Sequence, residues 1–297
     1  MILQMPQVPA LSPPVQASIR FARSPDGDTC IQRQQVGYPF HLGRVLRLPE
    51  SPPGMASVYL QSCSGGIFEG EDLGLDLHVG QGACAHLSTG ASTVVHGMRE
   101  RGARQRVRIE VEAGALFEYL PKPTLLFPHA DLHSRVDVVL HPGASLLLCD
   151  SCLGHEPDGK DIYFDKYLST LRISRPDGRL LLQDRMQLSG KDLKSANVGM
   201  TGTYQTLASL FILNDRIDTE SILKSLRSGV LGQSRGYAAA SELPSGCGIW
   251  VRALSHSAVD LQYIVNAIWQ NARNSLGNTF PTHANKPANT LIGCGST

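Results

Sequence analysis

The chain has 297 residues, 42% of them hydrophobic and 18% charged, with a formal net charge of +1. That is enough apolar material for one large or two ordinary domains and excludes global disorder. Basic residues are interspersed with acids along the chain, so no basic stripe argues for nucleic acid. No apolar run approaches the roughly 20 residues that cross a bilayer, and Met1 to Pro14 lack the basic start and apolar core of a signal peptide. A cytoplasmic protein with neither nucleic acid nor membrane as partner is expected.

Residues 1–17, with Pro6, Pro9, Pro13 and Pro14, read as a flexible start, and residues 277–297 read as a flexible tail without apolar period. The span 18–276 reads as a single domain, β-rich to about residue 210, with helices within about 218–275. Its first distinctive stretch is Gly65-Gly66-Ile67-Phe68-Glu69-Gly70-Glu71-Asp72-Leu73, followed by an alternating strand, a Gly-Ala turn and Ser88-Thr89-Gly90-Ala91-Ser92-Thr93.

The Gly-Ala turn recurs. Val79-Gly80-Gln81-Gly82-Ala83, Val111-Glu112-Ala113-Gly114-Ala115 and Leu140-His141-Pro142-Gly143-Ala144 share one form, with aligned glycines 32 and then 29 residues apart. Each follows an alternating strand (Leu75/Leu77/Val79, Val107/Ile109/Val111, Val136/Val138/Leu140). Glycine suits a turn position with positive φ, and alanine suits a position against packed backbone. A period near 30 residues fits stacked coils of a β-solenoid; a sandwich of ordinary hairpins is the alternative.

Two helices follow. Asp218 caps the first, Ile222, Leu223 and Leu226 make its stripe, and Gly229 ends it. The second starts at Ser257-Ala258-Val259-Asp260, a capping-box-like sequence, and carries Leu261, Ile264, Val265, Ile268 and Ala272 at helical spacing, with Trp269 broadening the stripe. Such a helix is core, or it docks a partner.

Several groups are candidates for chemistry. Glu69, Glu71, Asp72 and Asp76 cluster at a glycine-bounded bend and offer oxygen ligands to a divalent ion, or form a solvated loop. Cys149-Asp150-Ser151-Cys152 with His155 reads either as a dithiol or metal pair or as buried structural cysteines. The odd set of seven cysteines, without regular spacing, disfavours a disulfide scaffold. His78 and His86 flank one turn and either approach each other or stand as satisfied or exposed histidines. No G-x-S-x-G, P-loop or helix-opening G-x-G-x-x-G occurs, so an enzyme is not indicated. A carbohydrate-binding or lyase solenoid fits poorly, since aromatics make up 6% of residues and both tryptophans, Trp250 and Trp269, fall late.

The motifs resemble those of the urease accessory protein family called UreD (UreH in some bacteria). Its G-G-φ-x-x-G-D-x-φ pattern is similar to Gly65–Leu73, its strand, Gly-Ala turn and Thr-rich segment to Leu75–Thr93, and its Leu-Pro-x-Pro-Thr segment to Leu120–Thr124 with Phe127 after it. A turn like Gly154–Gly159 and the late Val251-Arg252-Ala253-Leu254 strand also correspond, so that the resemblance covers roughly residues 18–275. It departs where Glu71 replaces the aspartate after the third glycine (Asp72 is adjacent), at Val94 and His96 in place of lysine and tyrosine, and at Lys160 in place of glutamate.

The resemblance implies a mainly β fold like a right-handed β-helix of stacked sheets, with a small C-terminal helical part. It implies a non-enzymatic urease maturation factor, a scaffold and metallochaperone. Its implied partners are apo-urease, a helical accessory protein (UreF type) and a nickel-carrying GTPase (UreG type). Nickel would be in transit through an internal passage, with no tightly bound cofactor. Glu71 and Asp184 are the expected passage residues, with Asp72 as substitute; Asp184 sits amid apolar neighbours, either lining a wet channel or paired with a base such as Arg185. The reading from another class is a cytosolic thiol redox protein using Cys149 and Cys152.

Overall fold

A computed structural model describes residues 14–156, 159–215, 218–229 and 235–277. Most of the Pro-rich start, the C-terminal tail with Cys294, and part of the Gly154–Gly159 turn lie outside the described residues. In chain order the strands are β1 (Ala17–Arg23), β2 (Thr29–Val36), β3 (Phe40–Leu42), β4 (Ala56–Ser62), β5 (Asp72–Val79), β6 (Cys84–Thr89), β7 (Thr93–Val95), β8 (Ala103–Val111), β9 (Leu116–Tyr119), β10 (Thr124–Leu126), β11 (Asp131–Leu140), β12 (Ser145–Gly154), β13 (Lys166–Ser174) and β14 (Leu180–Leu188). A short helix α1 (Gly190–Lys194), β15 (Thr206–Asn214), α2 (Thr219–Gly229), β16 (Tyr237–Glu242), β17 (Gly248–Ser255) and α3 (Ala258–Gly277) complete the chain.

Successive coils lay strands alternately on two sheets. On the first, β1, β5, β8, β11 and β13 run parallel, with β2 and β14 added antiparallel at the ends. On the second, β4, β6, β9 and β12 run parallel, and β15, β17 and β16 extend it antiparallel. A narrow third strip is made by β7, β10 and the end of β12, where Thr93, Thr124 and Cys152 are in register. This is a β-solenoid of stacked coils, as the 30-residue period implied.

The Gly-Ala turns form one corner of the stack. Gly82, Gly114 and Gly143 have φ of 65°, 69° and 74°, the left-handed region that glycine enters without penalty. The alanine N–H closes each turn onto the carbonyl three residues earlier, at 3.0, 3.1 and 3.1 Å for Ala83, Ala115 and Ala144. All three alanines are buried. The turns stack through backbone bonds from Glu112 N–H to the Val79 carbonyl (2.9 Å) and from His141 N–H to the Val111 carbonyl (3.0 Å).

Inward residues of the two sheets, among them Leu77, Val79, Ile109, Val138, Leu146 and Phe211, make the main core. Each fully buried side chain of this size contributes roughly 1.5–3 kcal/mol. The outer face of the second sheet is covered by α2 and α3, whose Ile222, Leu226, Leu261, Ile264 and Ile268 pack on Leu147, Leu210, Ile249 and Val251. Asp218 accepts from the Ser221 N–H (3.2 Å), and Ser257 and Asp260 exchange capping contacts at 3.1 and 2.7 Å, as their sequence suggests.

One boundary differs from expectation. Ala17 opens β1 and is fully buried, inside the span read as flexible. In the later part β16 and β17 run between α2 and α3, and β17 contains the Val251–Leu254 segment. β16 is a mostly exposed edge strand of sequence Tyr-Ala-Ala-Ala-Ser-Glu, too weakly patterned to show an apolar alternation.

Candidate functional site: an acid-tipped cavity between the sheets

A cavity of about 590 Å³ runs between the two sheets. Its lining passes from exposed Gly65, Gly90 and Ser92 to buried Tyr119, Leu148 and Tyr167, and reaches Asp150. Three separated segments meet in its wall: the Gly65-Gly66 bend, Thr89 to Val94, and Pro121, Lys122 and Thr124. They meet because each belongs to the same side of successive coils. The segments are tied to one another, with the Lys122 N–H donating to Thr89 Oγ1 (2.9 Å) and the Ile67 N–H to the Val94 carbonyl (2.7 Å).

Asp150 follows Leu146 and Leu148 on the inward-facing alternation of β12, so strand geometry carries its carboxylate into the interior. It accepts hydrogen bonds from Tyr167 Oη (2.8 Å) and Ser169 Oγ (2.6 Å) on β13 across the gap. Burial pushes the Asp150 carboxyl above its ordinary value; the two hydroxyls and Arg252 pull it down, and the charge of Asp184 pushes it up. The Tyr167 phenol is raised, by burial and by Asp150, and stays a neutral donor.

Asp184 is opposite Leu171 in the β13–β14 ladder and shares the inward side with Leu182 and Met186. Arg185 is the next residue and faces the opposite side, so it is not the partner of Asp184. The cation in this region is Arg252, whose Nη1 lies 3.4 Å from Met186 Sδ and whose buried Nε has no hydrogen-bond partner. Two carboxylates, two hydroxyls and one arginine thus share a largely apolar interior. Oxygen donors of this kind suit a divalent cation, whose arrival would relieve the cost of burying the acids.

The other expected residues lie elsewhere. Asp72 is on the outward face of β5 and pairs with Arg106 at 2.9 Å. Glu71 stays in the bend, accepting the Phe68 N–H (3.0 Å). Glu71, Asp72 and Asp184 are therefore not brought together. Glu69 accepts the N–H groups of Arg99, Glu100 and Arg101 (3.2, 2.8 and 3.0 Å). Those backbone bonds, led by Glu100, hold its carboxyl below the usual range. Asp76 faces the outer side of the first sheet, alongside His78. Among the described residues, no three His, Cys, Asp or Glu side chains are grouped to hold a metal ion.

Cys149 and Cys152 both lie in the extended strand β12, three positions apart, and so face opposite sides: Cys149 packs under the helices and Cys152 in the interior. Three residues of strand span about 10 Å, beyond the Cα separation a disulfide permits. Both thiols are buried and free; burial pushes Cys149 up to about 12 and Cys152 up as well. A dithiol cycle is thus not built here. His78 and His86 also diverge: His78 is 2.9 Å from Glu112 on the first sheet, and His86 Nδ1 is 2.7 Å from Glu118 Oε2 beneath α3.

The cavity reaches Asp150 through the three segments that carry the family-like motifs, and comparison with known proteins settles the family. The profile described as UreD urease accessory protein matches residues 15–285. The chain belongs to the UreD family. The urease accessory protein UreD 1 of Pseudomonas syringae pv. syringae is 46% identical over 265 residues, 89% of this chain and 93% of that protein. UreD 1 of a Bradyrhizobium strain is 38% identical over 81% of this chain and 84% of its own length. The urease accessory protein UreD of Haloarcula marismortui is 32% identical over 87% of this chain and 85% of its own length. Membership gives this UreD-family chain a role in urease maturation, in a family of accessory proteins rather than of known catalysts. Among its described residues, no helix is long and apolar enough to cross a membrane.

In the sequence Asp150 stands out only as part of a cysteine pattern, and Glu118 belongs to none of the motifs. The alternation Leu146, Leu148, Asp150 was the available signal for the first. For Glu118, placed between Phe117 and Tyr119 on a wholly buried four-residue strand, the signal was a charge inside an apolar run.

Proposed function

We propose that this chain is a scaffold and metallochaperone that binds apo-urease together with a helical accessory protein of the UreF type and a nickel-carrying GTPase of the UreG type, and that nickel passes through it toward the urease active site. The observation that carries the reading is the cavity between the sheets, lined by the family-like motifs and reaching Asp150. Nickel is the cargo. The carboxylates of Asp150 and Asp184 attract it, the hydroxyls of Tyr167 and Ser169 hold the Asp150 oxygens in place, and Arg252 opposes prolonged residence by competing for the same acids. A few oxygen ligands bind Ni²⁺ more weakly than a preformed His or Cys cage, so the ion moves on.

Glu71, in the bend between the lining residues Ile67 and Leu73, is proposed as an acid of the approach. Asp72, held by Arg106 on the other side of the sheet, is assigned a positioning role instead. The partner reading is tested by affinity-tagging this chain in cells expressing a complete urease gene cluster. Recovery of urease, the helical protein and the GTPase is expected; recovery of the chain alone, or of partners unrelated to urease, would contradict it.

A further inference from the structure

The coil period also builds a charged row on the outer face of the first sheet. Arg106 is in register with Arg135, Arg135 with Thr170, and Thr170 with Arg185. Strand spacing is about 4.8 Å, so the row crosses β8, β11, β13 and β14 within a short span. Along the chain these cations are dispersed among acids. Stacking gathers them, because Arg106 and Arg135 are one coil apart, like Gly114 and Gly143.

The row closes around His133, which is in register with Arg104 on β8. The His133 imidazole is held below its ordinary value by partial burial and then by the charges of Arg104, Lys166, Arg135 and Arg185. The groups acting most strongly on it from β8, β11, β13 and β14 are thus all cations. Arg135 is engaged by Asp137 at 2.7 and 2.9 Å and Arg106 by Asp72 at 2.9 Å. Arg104 and Arg185 are exposed, and among the described residues they have no ion-pair partner.

We propose that this face docks an acidic segment of a partner protein, with Arg104 and Arg185 supplying the unengaged charges. The surface is separate from the passage, since it lies on the opposite face of the sheet from Asp184. Charge complementarity names the occupant's sign. Asp72 and Asp137 beside the row already neutralise Arg106 and Arg135, so a few unengaged cations remain, which match the separate carboxylates of a short acidic segment better than the continuous charge of a phosphate backbone.

The test uses the full chain and fluorescence anisotropy of a short labelled Glu/Asp-rich peptide, beside an oligothymidylate of equal charge. Wild type is expected to bind the peptide in a salt-sensitive manner and more tightly than the oligonucleotide. Arg104→Glu/Arg185→Glu is expected to weaken peptide binding at least about tenfold, roughly 1.4 kcal/mol. Arg104→Gln/Arg185→Gln, which leaves no repulsion to disturb folding, is expected to show a smaller loss and decides the matter if the reversed variant does not fold. Absence of peptide binding by wild type, undiminished binding by the neutral variant, or equal or tighter binding of oligothymidylate would overturn the proposal.

Discussion

Glu118 on β9 and Arg273 on α3 form a two-pronged ion pair across 155 positions of sequence, with Arg273 Nε and Nη2 donating at 2.8 and 2.5 Å. Glu118 is fully buried, and His86 is its second partner at 2.7 Å. Trp269 covers the assembly, with the Arg273 guanidinium 4.2 Å from its ring centroid. The pair locks the end of α3 onto the coil stack. Removing one partner of a buried pair leaves an uncompensated charge, which costs about 3–5 kcal/mol. Arg273→Ala is expected to lower the urea-unfolding free energy by that order, whereas Glu118→Gln/Arg273→Leu, which removes both charges, should lose less. Equal losses would show that the pairing is not what holds the helix.

The same carboxyl sets a pH dependence. Burial, the largest influence, raises the Glu118 value, but hydrogen bonds from His86 and Arg273 outweigh it, and the folded value lies below the ordinary 4.5. Its stabilising contribution is therefore present above about pH 4.5 and is lost as pH falls through the folded value. Unfolding free energies of wild type and Glu118→Gln should converge as pH drops below 4.5. A gap that stays constant would contradict the linkage.

Asp150 has the opposite sign. Its folded value is raised above the ordinary 3.8, chiefly by burial. The favourable contribution of its protonated form is present below that value and is lost as pH rises through the folded value, beyond which the fold carries a buried charge. Asp150→Asn keeps the shape and is expected to raise the thermal midpoint at pH 7, with the gain shrinking toward pH 4. A lowered midpoint at pH 7 would mean that the charge itself stabilises the interior.

Opposed faces of β12 give a thiol prediction. Brief alkylation of the native chain should modify exposed Cys30 and Cys63 well before Cys149 or Cys152, as mapped by peptide mass spectrometry. Fast labelling of either buried thiol, or a Cys149–Cys152 disulfide, would restore the redox reading.

At Gly114, φ is 69° and a Cβ would meet nothing within 4 Å. Gly114→Ala therefore isolates the conformational term and should destabilise by about 1 kcal/mol in chemical denaturation. No change would mean that the turn readjusts to another conformation.

The solenoid was legible because a turn with positive φ calls for Gly82, Gly114 and Gly143, and a packed corner calls for Ala83, Ala115 and Ala144; residue type and period carry both demands. Asp184 was singled out through the resemblance, and the alternation of β14 then sets it on the side of Leu182 and Met186. The fate of Asp72 was not legible, because one step along a strand reverses the face, and only the register with β8 brings Arg106 to it. Asp150 was obscured by the cysteines on either side of it. The Glu118–Arg273 pair and the arginine row depend on contacts between distant coils and helices, which no local pattern encodes.

The nickel content of urease matured with Asp150→Asn/Asp184→Asn in place of the wild-type chain, measured on affinity-purified complexes by plasma mass spectrometry, tests the passage most directly. Soluble complexes with unchanged partner composition and depleted nickel are expected. Full nickel content in those complexes would contradict a route over these two acids.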